Sequence, residues 1–191
     1  MEMLLSGEAD VAAYPITIDN KLKEQMLFCG YERQSNLVIV QRTGHGDTVL
    51  KDVTQLIGKE VCIKPYRRYR ERLENLNSEL GGGIRIVNID KDTVSSEDLI
   101  EMVAKGKIDY TVCEDDVARL NRTYYRNIDI SLPISFKQRS SWAVRRSCSQ
   151  LASAINAWAS NMTGKSSYRS AIKRYFELSK VSLNRIDMPK V

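Results

Sequence analysis

The chain has 191 residues, 42% of them hydrophobic, which is enough apolar surface for a real core and excludes an intrinsically disordered protein. Its 29 basic against 24 acidic residues leave a net charge of +5 with the signs interspersed, which fits a mild taste for anions and argues against a nucleic-acid partner. No apolar run approaches the roughly 20 residues that span a bilayer, and no charged-apolar-small leader opens the chain.

Residues 1–6 read as the last turns of a helix, stopped by Gly7, and Val11 to Ile18 reads as a strand. Asp19-Asn20 offers a helix cap before a short polar segment, Lys21 to Gln25. Asn36 to Gln41 is the next β-rich run, and the polar loop Arg42 to Asp47 marks a boundary between lobes. From Val49 the types alternate regularly. A short helix, Val53 to Ile57, ends at Gly58, and Val61 to Ile63 is a buried strand. Pro65 suits a first helical position, and the helix from Pro65 to Leu80 places Tyr66, Tyr69, Leu73, Leu76 and Leu80 on one face.

Gly81-Gly82-Gly83 stops that helix. A phosphate loop is the alternative, but such loops follow a strand and open a helix, and here the order is reversed. Ile84 to Ile89 is a strand, and Ser95 or Ser96 caps a helix carrying Leu99, Ile100 and Val103. A strand through Tyr110 to Cys113, a short helix through Val117 and Leu120, and strands at Asn127 to Ile130 and Trp142 to Val144 follow. Two helices close the fold, one with Leu151, Ile155 and Trp158, the other with Tyr168, Ile172, Tyr175 and Phe176.

One phrase occurs twice, as Ser6-Gly7-Glu8-Ala9-Asp10-Val11 and as Lys105-Gly106-Lys107-Ile108-Asp109-Tyr110. Each copy runs from an apolar helix through a Gly to a small charged turn and a strand. The spacing is too long for a solenoid repeat and suits two related lobes. Alternating strands and helices predict an α/β fold with mostly parallel sheets. Residues 42–131 form one lobe in this reading. Residues 1–41 and 132–180 form the other, incomplete at its N-terminus, and 181–191 is a linker.

Ligands in open parallel sheets bind beyond the carboxyl ends of the strands, which points to Tyr14 to Thr17 and to Glu114 to Asp116. Glu114 leaves its strand directly and can meet a ligand ammonium group, whereas a neighbouring acid can simply cap the next helix. Within the basic run Lys64, Arg67, Arg68, Arg70 and Arg72, Arg67 and Arg68 fall in a first helical turn. Cations there are unfavourable unless an anion sits between them, so an anion-binding role stands beside that of a solvated helix face. Cys29, Cys62, Cys113 and Cys148 lack Cys-x-x-Cys spacing; Cys62 and Cys113 read as small apolar residues of buried strands. His45, in a loop, has no second His beside it. No metal site, cofactor loop, nucleophile elbow or paired catalytic acids emerge.

In Leu5 to Ile18, Gly106 to Val112, Asn121 to Tyr125 and Trp142 to Arg145, the chain resembles the extracellular solute-binding proteins of family 3, the amino-acid-binding type. Within that group it looks most similar to the binding domain of membrane-bound lytic transglycosylase F-like proteins. The resemblance implies a two-lobed periplasmic-binding-protein-like fold with a ligand in the interlobe cleft. It implies ligand contacts at Tyr14, Pro15, Thr17 and Glu114, to which Arg67 and Arg68 add positive charge. The position of the family's carboxylate-clamping Arg is matched by Leu22, and a peptidoglycan-derived, anionic peptide or an amino-acid-like small molecule is the expected ligand, in place of a free amino acid held in the usual way. No Glu-Ser catalytic motif occurs, so the chain is not expected to be an enzyme. The implied setting is the periplasm, at the outer membrane through the anchor of a parent protein whose catalytic domain follows the linker. A stand-alone binding protein of an amino-acid transporter is the alternative.

Overall fold

The computed structural model describes residues 2–44, 46 and 48–176. The readings of His45 as a loop residue and of 181–191 as a linker lie outside the described residues. In chain order the elements are α1 (Glu2–Ser6), β1 (Val11–Thr17), α2 (Asn20–Gln25), β2 (Met26–Ser35), β3 (Leu37–Arg42) and a 3-10 turn at Val53–Leu56. There follow β4 (Glu60–Ile63), α3 (Arg67–Glu79), β5 (Arg85–Asn88), α4 (Ser96–Ala104), β6 (Tyr110–Glu114), α5 (Asp115–Arg122), β7 (Ile128–Pro133), β8 (Gln138–Arg145), α6 (Ser149–Gly164) and α7 (Ser166–Phe176).

The described chain falls into two compact units, the first holding residues up to Ser35 with Lys137–Arg174 and the second Asn36–Phe136. The division precedes β3 instead of following it, because β3 hydrogen-bonds to β6 on one side and β7 on the other.

The second unit is a five-stranded sheet of order β5-β4-β6-β3-β7. Its pairs β4–β5 and β4–β6 are parallel, while β3 runs antiparallel to both neighbours. Parallel pairing is therefore narrower than the alternation of types suggests: in this sheet it holds for β4 with β5 and β6. The apolar run in β3 is continuous because both faces are covered. Leu37 and Ile39 pack with Tyr69, Leu73 and Leu76 of α3, and Val38 and Val40 pack with Ile100 and Val103 of α4. Cys62 and Cys113 are buried as expected, and all four cysteines are free thiols.

The first unit is built on a three-stranded antiparallel sheet, β1-β8-β2. Its β2 escaped the sequence reading. The register breaks between Cys29 and Arg33, and Gly30 sits there at φ +80°, its N–H donating 2.8 Å to the Asn156 side chain. A bulge of this kind interrupts the apolar alternation by which strands are recognised. Leu4, Ile16, Met26 and Ala143 fill one face of the sheet, while Cys29, Val144 and Ala152 fill the other.

Helix ends follow the expected chemistry. Ser95 and Asp98 form a reciprocal capping box at α4, and Asp19 accepts from the Leu22 N–H at α2. Past α3, Gly82 N–H reaches Asn77 O at 2.7 Å and Gly81 N–H reaches Ser78 O at 3.1 Å, the paired closure of a Schellman end. Pro65 stays outside α3: Tyr66 is extended (φ −66°, ψ 130°) and forms the cap, so the helix begins at Arg67.

The repeated phrase shares an ion pair as well as a turn. Asp10 pairs with Arg145 of β8, and Asp109 lies 4.0 Å from Arg42 of β3. In each copy the Gly backbone crowds that same guanidinium: a Cβ on Gly7 would meet Arg145 at 3.1 Å, and one on Gly106 would meet Arg42 at 3.0 Å.

Candidate functional site

Because β4, β5 and β6 are parallel, their carboxyl ends gather on one edge of the second unit's sheet. Chain leaving β4 reaches Lys64 and then the N-terminus of α3, and β6 ends at Glu114, the cap residue of α5. Glu114 caps with its backbone position only; its side chain makes no capping hydrogen bond and is turned toward α3 instead. The period-2 alternation explains this, since Glu114 shares a face of β6 with Val112, which packs in the α3-side core.

There the Tyr69 hydroxyl donates to one oxygen of Glu114, and Arg68 Nη1 lies 3.4 Å from the other. The Arg68 and Glu114 side chains keep 25% and 19% of their exposure, so the pair faces outward from a partly desolvated rim. Burial, reinforced by the adjacent Glu114 carboxylate, pushes the Tyr69 phenol well above its ordinary range, which keeps it a neutral donor at any physiological pH. Tyr66 packs edge-on against Tyr69 with ring centroids 5.4 Å apart. The arrangement is a carboxylate held between a phenol and a guanidinium, suited to polar recognition. It offers neither a nucleophile with a base nor a second catalytic acid.

The other cations of the basic run are engaged elsewhere. Arg67 is 85% exposed and pairs with Glu71 at 2.6 Å, on its own helix. Lys64 is buried and donates to Lys91 O at 2.9 Å. Arg70 pairs with Glu74, and Arg72 with Glu79 and the Ile134 carbonyl. Of the two arginines singled out by sequence, the structure thus brings Arg68 to Glu114 and turns Arg67 toward Glu71. Asp115 accepts from the distant Asn36 N–H at 3.2 Å and lies 3.7 Å from Arg119, and Asp116 accepts from its neighbour Val117.

In the first unit, Tyr14 and Pro15 lie where β1 loses register with β8, between Ala12 and Ile16. Proline brings no donor to a ladder, and both residues are exposed. Thr17 resumes the pairing opposite Ser140 and is half-buried. Leu22 packs on the core of Leu4, Ile16 and Met26.

Sequence reasoning missed Tyr69, which it assigned to the apolar face of its helix. The available signal was chemical: a buried Tyr needs a partner for its hydroxyl, and the nearest strand end offered an acid. A recess of about 50 Å³ lined by Gln41, Arg42, Thr48, Asp109 and Tyr110 lies at the opposite end of β6. Ligand pockets run to hundreds of Å³, so it is no rival site. Among the described residues no group of His, Cys, Asp and Glu could hold a metal ion, and no helix is long and apolar enough to cross a membrane.

No known family profile matches the chain. Among curated proteins it is 29% identical over 174 residues to a membrane-bound lytic murein transglycosylase F of Desulfosudis oleivorans, an alignment covering 91% of this chain and 37% of that protein. The protein of the same name from Aeromonas salmonicida is 30% identical over 146 residues, covering 76% and 28%. The chain thus spans about a third of the length of these relatives. Among solved structures, an ancestral cationic amino acid solute binding protein superposes with a TM-score of 0.73 at 16% identity, covering 92% of this chain and 73% of that one. ArgBP from T. maritima, in a mutant form, gives 0.68 at 23%, covering 92% and 72%. An ancestral arginine-binding protein bound to arginine gives 0.66 at 20%, covering 92% and 75%. The fold is that of the two-lobed periplasmic binding proteins.

Proposed function

We propose that this chain is a non-catalytic ligand-binding domain of a cell-envelope lytic transglycosylase, sensing a peptidoglycan-derived peptide. The observation that carries the reading is the alignment of 91% of the chain with only 37% of a membrane-bound lytic murein transglycosylase F, coupled to a binding-protein fold. A Glu-Ser pair is absent from the sequence, and the acid at the candidate site is committed to a phenol and a guanidinium. The implied location is periplasmic, reached at the outer membrane through the parent's anchor, with a covalently linked catalytic domain. Ligand binding would bias the population of an active parent form.

Muropeptides from digested cell wall, titrated calorimetrically into the full chain, should bind, and Arg68→Ala should weaken them about tenfold or more, the loss of one charge-assisted contact. Unchanged affinity in that variant removes Arg68 from the site, and release of soluble fragments from intact peptidoglycan by this chain alone would make it an enzyme. A second reading, the binding component of an amino-acid transporter, draws on the fold match to the substrate binding protein of an amino acid ABC transporter. The two diverge in the gene: a downstream helical domain with a Glu-Ser motif supports the first.

A further inference from the structure

We propose that Arg68, Tyr69 and Glu114 together make the site select ligands whose amine is acylated, against the same ligands with a free ammonium group. This rests on the reading of the chain as a peptide-binding domain and names the chemical class it takes.

The argument starts from charge. A carboxylate at the end of a buried strand is an attractive partner for an ammonium ion only while its own charge is uncompensated. Here one oxygen of Glu114 accepts from the Tyr69 hydroxyl, and the other faces the Arg68 guanidinium at 3.4 Å. Both partners come from consecutive residues at the start of α3, whose other contacts fix them: the Tyr69 ring is 3% exposed in the core with Leu73 and Leu76. Turning away would deprive the buried Tyr69 hydroxyl, which also meets Ser96, of its Glu114 acceptor.

An arriving ammonium would therefore meet a Glu114 charge that Arg68 already balances, and would stand beside that guanidinium. In partly desolvated surroundings such like-charge neighbours are strongly disfavoured. An amide N–H differs in that it donates a hydrogen bond and brings no charge. A carboxylate oxygen has lone pairs enough for a further neutral donor beside the ones it serves. The ligand's own carboxylates gain from the same guanidinium. Acylation of the amine thus removes the repulsion and keeps the recognition.

The test compares N-acetyl-alanyl-glutamate with alanyl-glutamate by calorimetry on the full chain and on Arg68→Gln. The expected result is at least about tenfold tighter binding of the acetylated form, the scale of one unfavourable charge contact. In Arg68→Gln the preference should collapse or invert, because Glu114 regains an uncompensated charge. A variant that merely disturbed the fold would weaken both probes in equal proportion. Equal or tighter binding of the free-amine probe to the unaltered chain overturns the selectivity and leaves the binding-domain reading standing. A preference unchanged in Arg68→Gln removes it from these residues. Failure of both probes and of digested cell wall to bind overturns the binding-domain reading, and this inference with it.

Discussion

Glu114 occupies a position that chain logic alone makes conspicuous, an acid leaving a buried strand at its carboxyl end, yet its chemistry is decided by two residues from another element. Without Tyr69 and Arg68 it would be a free anion on the rim. Tyr69→Phe keeps the ring in the core and removes the donor. The expected cost is about 1–3 kcal/mol, the penalty of leaving a partly buried carboxylate short of a partner, read from the midpoint of urea unfolding with unchanged slope. Gln41 is a second residue whose role depends on its surroundings. Buried within β3, it exchanges hydrogen bonds with the Leu50 N–H and carbonyl and donates to Asp129 at 3.0 Å. Partial burial raises the Asp129 carboxyl, but hydrogen bonds from Ser131 and Gln41 outweigh it and hold the group below the usual carboxylate range. A depressed folded-state value means the stabilisation is complete above the unfolded value, near pH 4, and is lost as pH falls through the lower, folded one. Asp129→Asn should flatten the decline in stability below about pH 4, measured by urea unfolding across pH 2.5 to 6.

At the level of elements, most boundaries are set by local chemistry. The Ser95 and Asp98 box starts α4, and Ser95→Ala should cost about 1 kcal/mol by thermal or urea unfolding, since it removes one side of a reciprocal cap. The glycines past α3 are needed for their backbone conformation. Gly83 sits at φ +102°, and an added Cβ would meet Ile57 Cγ2 at 2.9 Å, while Gly58 at φ +80° has open space. Both Ala variants pay for a left-handed backbone, about 1 kcal/mol, and Gly83→Ala pays for the displaced Ile57 besides. The larger loss should therefore fall on Gly83→Ala. The strand β2 shows where such local reasoning stops. Gly30 and the polar stretch after it look like a turn, and only pairing with β8 on both sides of the bulge makes them a strand.

For the molecule as a whole, the pattern of burial yields a direct check on the fold. Cys29, Cys62 and Cys113 are buried, and Cys148 is half-buried. Burial pushes the thiols of Cys29, Cys62 and Cys113 up, lowering their reactive thiolate fraction further. Brief alkylation of the native chain, counted by mass, should label Cys148 ahead of the other three, and denaturant should release all four. Fast labelling of Cys113 in native buffer would contradict the packing of β6 against α4 and α5.

The sequence by itself determined the alternation of strands and helices, the helix stops and caps, and the repeated Gly-x-x-Asp turn, because each depends on residues within a few positions of one another. Apolar period and capping chemistry are local, and they are legible wherever no bulge intervenes. It also pointed to Glu114 and Arg68 as separate candidates. Only tertiary structure decided that β3 runs antiparallel between β6 and β7 and that Arg68 and Tyr69 close on Glu114. Those outcomes depend on contacts between residues more than forty positions apart, where the direction of a side chain is fixed by the packing of one element on another and by nothing in its own neighbourhood.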